Sequence, residues 1–332
     1  MLRKLCGLLS LFVLGLTAPA QDSRHFTFHY AFTVKNLPAG KKVRIWIPAS
    51  HSDAYQEVKV ISAKGDLPLM RTRESRYGNE IYVAQTNSST QPDLHFDVEY
   101  DVLRHERVAL ALAPPMVAST RKNSLPNEER QQDLQPDALV PTTGLPADLA
   151  AKVTEGKTQP LDKARALYDY VFTTMKYDKS GTGWGHGDVL YACDAKKGNC
   201  TDFHSLFIAM ARSQGIPARF EIGFPLPPDQ HSAEIAGYHS WSDFYIEGKG
   251  WIPVDISEAW KHQEKRDYFF GAHDVNRVQF TMGRDIELNP KQEGKPLNYF
   301  VYPYVEVGGK EFSNVSTAFS FADVEGAATA MR

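Results

Sequence analysis

The chain has 332 residues, a formal net charge of −3, 23% charged residues and 42% hydrophobic residues. That mixture excludes a disordered chain, which carries far fewer apolar residues, and a strongly basic nucleic-acid binder. The length suggests two domains with room for a substantial core.

The first feature in chain order is a targeting segment. Met1-Leu2-Arg3-Lys4 is a short basic start, 5–16 is an almost unbroken apolar run, and Ala18-Pro19-Ala20 ends it with a small-x-small pattern. This is the layout of a secretory signal peptide, with cleavage expected after Ala20. The run is shorter than the roughly 20 residues that span a bilayer, so a membrane anchor is the weaker alternative. The mature protein is expected to be periplasmic or secreted, with no stable membrane insertion after cleavage. Loss of Cys6 leaves Cys193 and Cys200. In an oxidising compartment such a pair ordinarily forms a disulfide, and a reactive thiol is the alternative.

Residues 21–112 read as an all-β domain. Short runs at 25–30, 42–47, 57–61, 80–84 and 94–102 are rich in β-branched and aromatic residues, with Gly, Pro, Asn and Ser between them. Strands at this spacing predict a β-sandwich. His25, His29 and His95 are expected on strand faces rather than as ligands. Residues 113–143 are polar and Pro-bearing and read as a linker with at most a turn of helix. Helices are expected at 146–152 and 162–175, the second with a core-facing stripe of Ala164, Leu167, Tyr168, Val171 and Phe172.

The segment 198–212 carries the chemistry. Asn199 is a plausible N-cap, Asp202 lies in the first turn, and Phe203, Leu206, Phe207 and Met210 form a buried stripe. Cys200 therefore falls at the positive end of a helix, where free amides and the macrodipole favour a thiolate. A thiolate needs a base and an orienting group to act as a nucleophile. Residues 237–246 read as a strand, 247–250 as a turn and 251–255 as the returning strand. A turn centred on Gly248-Lys249 places Asp255 opposite Ser242, diagonal to His239, and a slightly different turn brings the two side chains onto one face. Asp243 lies roughly 13 Å along the strand from His239 at about 3.3 Å per residue and cannot orient that imidazole. His204, four residues after Cys200, is the rival base.

Gly198-x-Cys200-x-Asp202-Phe203, Gly215-Ile216-Pro217-Ala218-Arg219, Tyr238-His239-x-Trp241 and Gly250-Trp251-x-Pro253-Val254-Asp255 together resemble the transglutaminase-like superfamily, in particular its secreted bacterial members. The stretch from Gly283-Arg284-Asp285-Ile286 to Tyr299-Phe300-Val301-Tyr302-Pro303 is similar to the C-terminal part of those proteins. The resemblance implies an α+β, papain-like core in which a Cys-bearing helix packs on an antiparallel sheet. It also implies a triad of Cys200 as nucleophile, His239 as general base and acid, and Asp255 as orienting carboxylate. Relatives take a second oxyanion donor from an upstream side chain, and Tyr177 or Trp184 can serve here beside the Cys200 amide. His204 is expected to line the cleft or bond the helix below, and Trp241, with Trp251, to wall the cleft or pack beneath the triad.

The implied layout is a signal peptide at 1–20, a sandwich at 21–112, a linker at 113–143, a catalytic domain at 144–312 and a tail at 313–332. The implied activity is acyl transfer on amide bonds of peptides or proteins, with cell-envelope substrates suggested by location. The alternative is a non-catalytic envelope scaffold that keeps the fold. No cofactor or metal is expected, because Cys193, Cys200 and His204 fit no common zinc spacing. The glycine-rich 181–187 lacks the ending of a phosphate loop and reads as a flexible rim of the cleft. No nucleic-acid partner is expected.

Overall fold

The computed structural model describes residues 22–110 and 124–324. The expected signal peptide with Cys6, the Pro114-Pro115 part of the expected linker, and the last residues of the expected tail lie outside the described residues. The N-terminal strands are β1 (Ser23–Val34), β2 (Val43–Pro48), β3 (Gln56–Gly65), β4 (Met70–Arg73), β5 (Glu80–Thr86), β6 (Leu94–His105) and β7 (Arg107–Val108). Then come α1 (Asn127–Gln132), α2 (Leu145–Val153), α3 (Pro160–Thr174), β8 (Lys176–Tyr177), α4 (Val189–Ala195), β9 (Lys197–Gly198) and α5 (Cys200–Ser213). The chain continues through β10 (Ala218–Pro225), β11 (Ser232–Glu234), β12 (His239–Ile246), β13 (Gly250–Val254) and α6 (Ile256–Lys261). It ends with β14 (Ala272–His273), β15 (Arg277–Met282), β16 (Tyr304–Val307), β17 (Lys310–Glu311) and β18 (Val315–Asp323).

The sandwich consists of two five-stranded sheets, ordered β11-β18-β1-β6-β3 and β17-β16-β2-β5-β4. Along β1 every second residue is buried, so Phe26, Phe28, Tyr30, Phe32 and Val34 face the core. The other face is polar: His25 pairs with Asp101 at 2.5 Å and His29 with Asp97, each across the β1–β6 ladder. β2 is buried on both faces because Val43, Ile45 and Ile47 enter the main core. Its Trp46 packs in a second cluster with Ile81, Val83, Ile286, Leu288 and Phe300.

The described part of the expected tail, residues 313–324, and the strands just before it are paired into the sandwich. β16 pairs with β2, and β18 pairs with β1 over nine positions, Phe26 to Val34 against Asp323 to Val315. The outward positions of β18 are polar or small, which hid this strand from hydrophobic patterning. The expected linker is likewise bonded to the core where it is described. Gln135 O and Asp137 Oδ2 each take the Arg212 guanidinium at 2.7 Å, and Ala218 N–H donates to Asp133 O at 3.0 Å.

The second layer is the antiparallel sheet β13-β12-β10-β15 with the helices packed on it. α5 was expected to bury one stripe, yet it is buried all round from Cys200 to Arg212, because α2, α3, α4 and α6 surround it against β10 and β12. Sandwich and core are one packed body. Phe28, Tyr30 and Tyr100 meet Phe280 of β15 at ring distances of 5.6, 5.5 and 5.7 Å, within a single contiguous hydrophobic core.

Candidate active site

α5 begins where the sequence places it. Asn199 caps it by accepting the Thr201 N–H at 2.9 Å, and Asp202 returns a bond to the Asn199 N–H at 2.9 Å, completing a capping box. Cys200 is then the first helical residue, so its own N–H has no partner inside the helix. The Cys200 thiol is 2% exposed and lies within hydrogen-bonding reach of His239 and Ser240.

His239 opens β12 and Asp255 caps α6 just after β13. The hairpin between them turns on Glu247-Gly248-Lys249, with Ile246 paired to Gly250 and Ser242 to Val254. This is one residue away from the register expected from the sequence. Continuing it sets Asp255 opposite Trp241, and His239, two residues from Trp241, shares that face. His239 Nε2 meets Asp255 Oδ2 at 2.7 Å, which leaves Nδ1 for the thiol. The same carboxylate oxygen accepts from Arg277 Nη1 at 3.0 Å. Oδ1 accepts from the Glu258 N–H at 3.0 Å and the Ser257 hydroxyl at 3.1 Å.

The charge states follow from these contacts. Burial alone raises a thiol, but the hydrogen bond and positive charge of His239, with the Ser240 bonds, hold Cys200 below its ordinary value. Burial alone lowers an imidazole, but Asp255 and Cys200 push His239 up to about 10. Asp255 is held well below the carboxylate range despite its burial, by His239 first and Arg277 next. Together these favour a thiolate–imidazolium pair beside an ionised Asp255.

His204 does not reach the cleft. It is fully buried, and its Nε2 accepts the Ile256 N–H at 3.0 Å, so the lone pair a base would use is occupied by the start of α6. Burial lowers it to about 4, keeping it neutral. Trp241 is also fully buried beneath the site rather than in the cleft. Its ring lies 5.7 Å from that of His239, tilted by 41°, and its indole N–H donates to Glu221 at 2.6 Å.

Tyr177 and Trp184 do line a cleft of about 340 Å³ that reaches Cys200. Burial and the nearby Cys200 charge push Tyr177 up to about 12, so its hydroxyl keeps its proton. The Trp184 indole N–H is already given to Gly181 O at 3.1 Å, which removes it as a free donor. A second groove of about 630 Å³ reaches His239, and the two share Tyr177, Lys179 and the stretch 236–238.

The glycine-rich rim is pinned rather than flexible. The N–H groups of Gly185 and Gly187 donate to Asp202 at 2.7 and 2.9 Å, and His186 O accepts from Arg284 at 2.7 Å. Gly187, at φ +62°, has no room for a side chain between Arg284 and Ser205. Cys193 and Cys200 are free thiols, and Cys193 lies on α4 with burial pushing it up to about 11.

Sequence reasoning assigned no role to Arg277 or to the cleft tyrosines Tyr238, Tyr299 and Tyr302. The tyrosines stood inside recognised motifs, Tyr238 directly before His239. Tyr238 hydroxyl bonds Asn199 Nδ2 and Thr201 Oγ1, each at 3.0 Å, and so ties the cleft wall to the start of α5.

Residues 147–256, which contain all three triad candidates, match the model of the transglutaminase-like superfamily. The chain belongs to that superfamily. An uncharacterized protein of Haemophilus influenzae is 30% identical over 324 residues, covering 86% of this chain and 85% of its own. This transglutaminase-like chain is also 27% identical over 125 residues to YebA of Bacillus subtilis, itself uncharacterized, covering 33% of this chain and 17% of YebA. Among solved structures, a Cytophaga hutchinsonii protein provisionally described as a cysteine protease superposes with a TM-score of 0.56 at 15% identity. That superposition covers 92% of each chain and shows a common fold.

Proposed function

We propose that this protein is an exported cysteine acyl-transfer enzyme that acts on amide bonds of peptides or proteins through a thioester. The observation that carries the reading is Cys200 at a helix start, beside a His239 whose far nitrogen lies 2.7 Å from Asp255. Cys200 Sγ attacks the amide carbonyl carbon, and the resulting oxyanion is met by the Cys200 N–H and the Tyr177 hydroxyl. The C–N bond breaks as the His239 imidazolium gives its Nδ1 proton to the leaving amine, which leaves a thioester. Water or a second amine then attacks, returns a proton to His239 and releases the thiolate as the C–S bond breaks. Two adjoining grooves, one reaching Cys200 and the other His239, suit an extended chain such as a peptide, one arm on each side of the scissile bond.

The test uses purified protein with iodoacetamide and a panel of peptide amides. Alkylation mapped to Cys200 by mass spectrometry is expected to set in at a pH clearly below that of an ordinary thiol. Cys200→Ala is expected to lower turnover by about 10⁴-fold or more. Retained turnover in Cys200→Ala overturns the reading.

A further inference from the structure

Asp255 does not end the chain of charges that starts at Cys200. Its Oδ2 is shared by His239 Nε2 at 2.7 Å and Arg277 Nη1 at 3.0 Å. All four groups are nearly inaccessible: Cys200 is 2% exposed, His239 4%, Asp255 0% and Arg277 2%. With the thiolate and imidazolium formed, the signs alternate as minus, plus, minus, plus. Without Arg277 the same buried set carries a net negative charge, which a low-dielectric site disfavours strongly. Uptake of a proton from solvent at sulfur, with His239 still an imidazolium, removes that charge.

We propose that Arg277 is a positioning residue that supplies the counter-charge for Asp255 and thereby keeps the Cys200 thiol ionised. This rests on the reading of Cys200, His239 and Asp255 as the reacting set. The guanidinium is built into place. It lies over the Trp241 ring at 4.8 Å, the same indole whose ring lies 5.7 Å from that of His239, and its Nη2 approaches Asp274 Oδ1 at 3.4 Å. Its strand is held from the sandwich side, where buried Gln56 bonds both backbone groups of Gln279 at 3.0 and 3.1 Å. The other charged or titratable groups acting on it or feeling it are Glu258, His204, His273, Tyr268 and Arg104. Burial keeps His204 and His273 low and neutral, so neither replaces the positive charge at Asp255.

The test is the pH profile of iodoacetamide alkylation at Cys200, mapped by mass spectrometry on the full chain. Arg277→Gln keeps N–H donors near Oδ2 but removes the charge, and is expected to move the acid limb up by about one pH unit or more. Alkylation at a pH below the limb then drops at least about tenfold. Arg277→Lys restores the charge and is expected to restore the limb. A mere packing role lowers thermal stability without moving the limb. An Arg277→Gln profile that superimposes on the parent's overturns the proposal. If Arg277→Gln does not fold, Arg277→Met takes its place: a limb raised by about a unit above that of Arg277→Lys supports the proposal, and one that superimposes on it overturns it. If the parent shows no low-pH alkylation at Cys200, the functional reading itself has failed, which is a different result.

Discussion

The hairpin of β12 and β13 holds one fully buried carboxylate, Asp243, and leads into another, Asp255, and their charged partners differ. Asp243 is saturated by guanidinium groups, with Arg107 at 2.8 and 3.0 Å and Arg219 at 3.0 Å. Asp255 divides one oxygen between Arg277 and an imidazole. Arginine does not give up its proton in proteins, so the Asp243 cluster is a lock that joins β7 to the core sheet. Histidine does exchange its proton, so the Asp255 cluster has a part that can move charge. Burial and ion pairing are common to both ends, and only the identity of the partner separates structure from chemistry.

Four measurements bear on this contrast. Asp255→Ala is expected to cost about 10⁴-fold in kcat, since the imidazole loses its orienter. Asp243→Ala is expected to cost about 3–5 kcal/mol in urea unfolding, because Arg107 and Arg219 stay buried without their anion. The folded fraction of Asp243→Ala should keep kcat near the parent's, and a folded variant as inactive as Asp255→Ala would break the contrast. His204→Phe leaves the Ile256 N–H without an acceptor, so a loss of about 1–3 kcal/mol is expected. The acid limb of Cys200 alkylation should remain; its disappearance would make His204 the base after all.

The smallest effect concerns Glu221, which lies between the two clusters. It accepts from Trp241 at 2.6 Å and approaches Arg219 at 3.3 Å. Burial first, and Asp243 next, push its carboxyl up from 4.5 to about 7. The folded state therefore holds the proton more tightly than the unfolded chain does. That stabilising contribution is complete below pH 4.5 and is lost as pH rises through about 7. Glu221→Gln should flatten that part of the stability-versus-pH curve, and an unchanged curve would remove Glu221 as its cause.

Much of the candidate site is legible in the chain because it is local. Asn199, Cys200 and Asp202 lie within four positions, and capping chemistry places the cysteine at a helix start without help from elsewhere. The strand pattern around His239 and the turn residues at 247–250 predict the hairpin, and the family motifs point to Asp255. The rim 181–187 looked mobile because four glycines in seven residues suggest freedom. Its restraint comes from Asp202 and Arg284, which sequence distance conceals.

The sequence by itself determined the two β-rich and α+β regions, the helix that presents Cys200 and the hairpin that carries His239. Capping, periodicity and turn chemistry act over a few residues, so they can be read one segment at a time. Tertiary structure decided whether His239 and Asp255 share a face, since a one-residue difference in the turn reverses every side chain that follows. It alone brought Arg277 to Asp255 from 22 residues away and returned β18 to β1 across nearly the whole chain. Those contacts are set by strand register and burial, which no local pattern records.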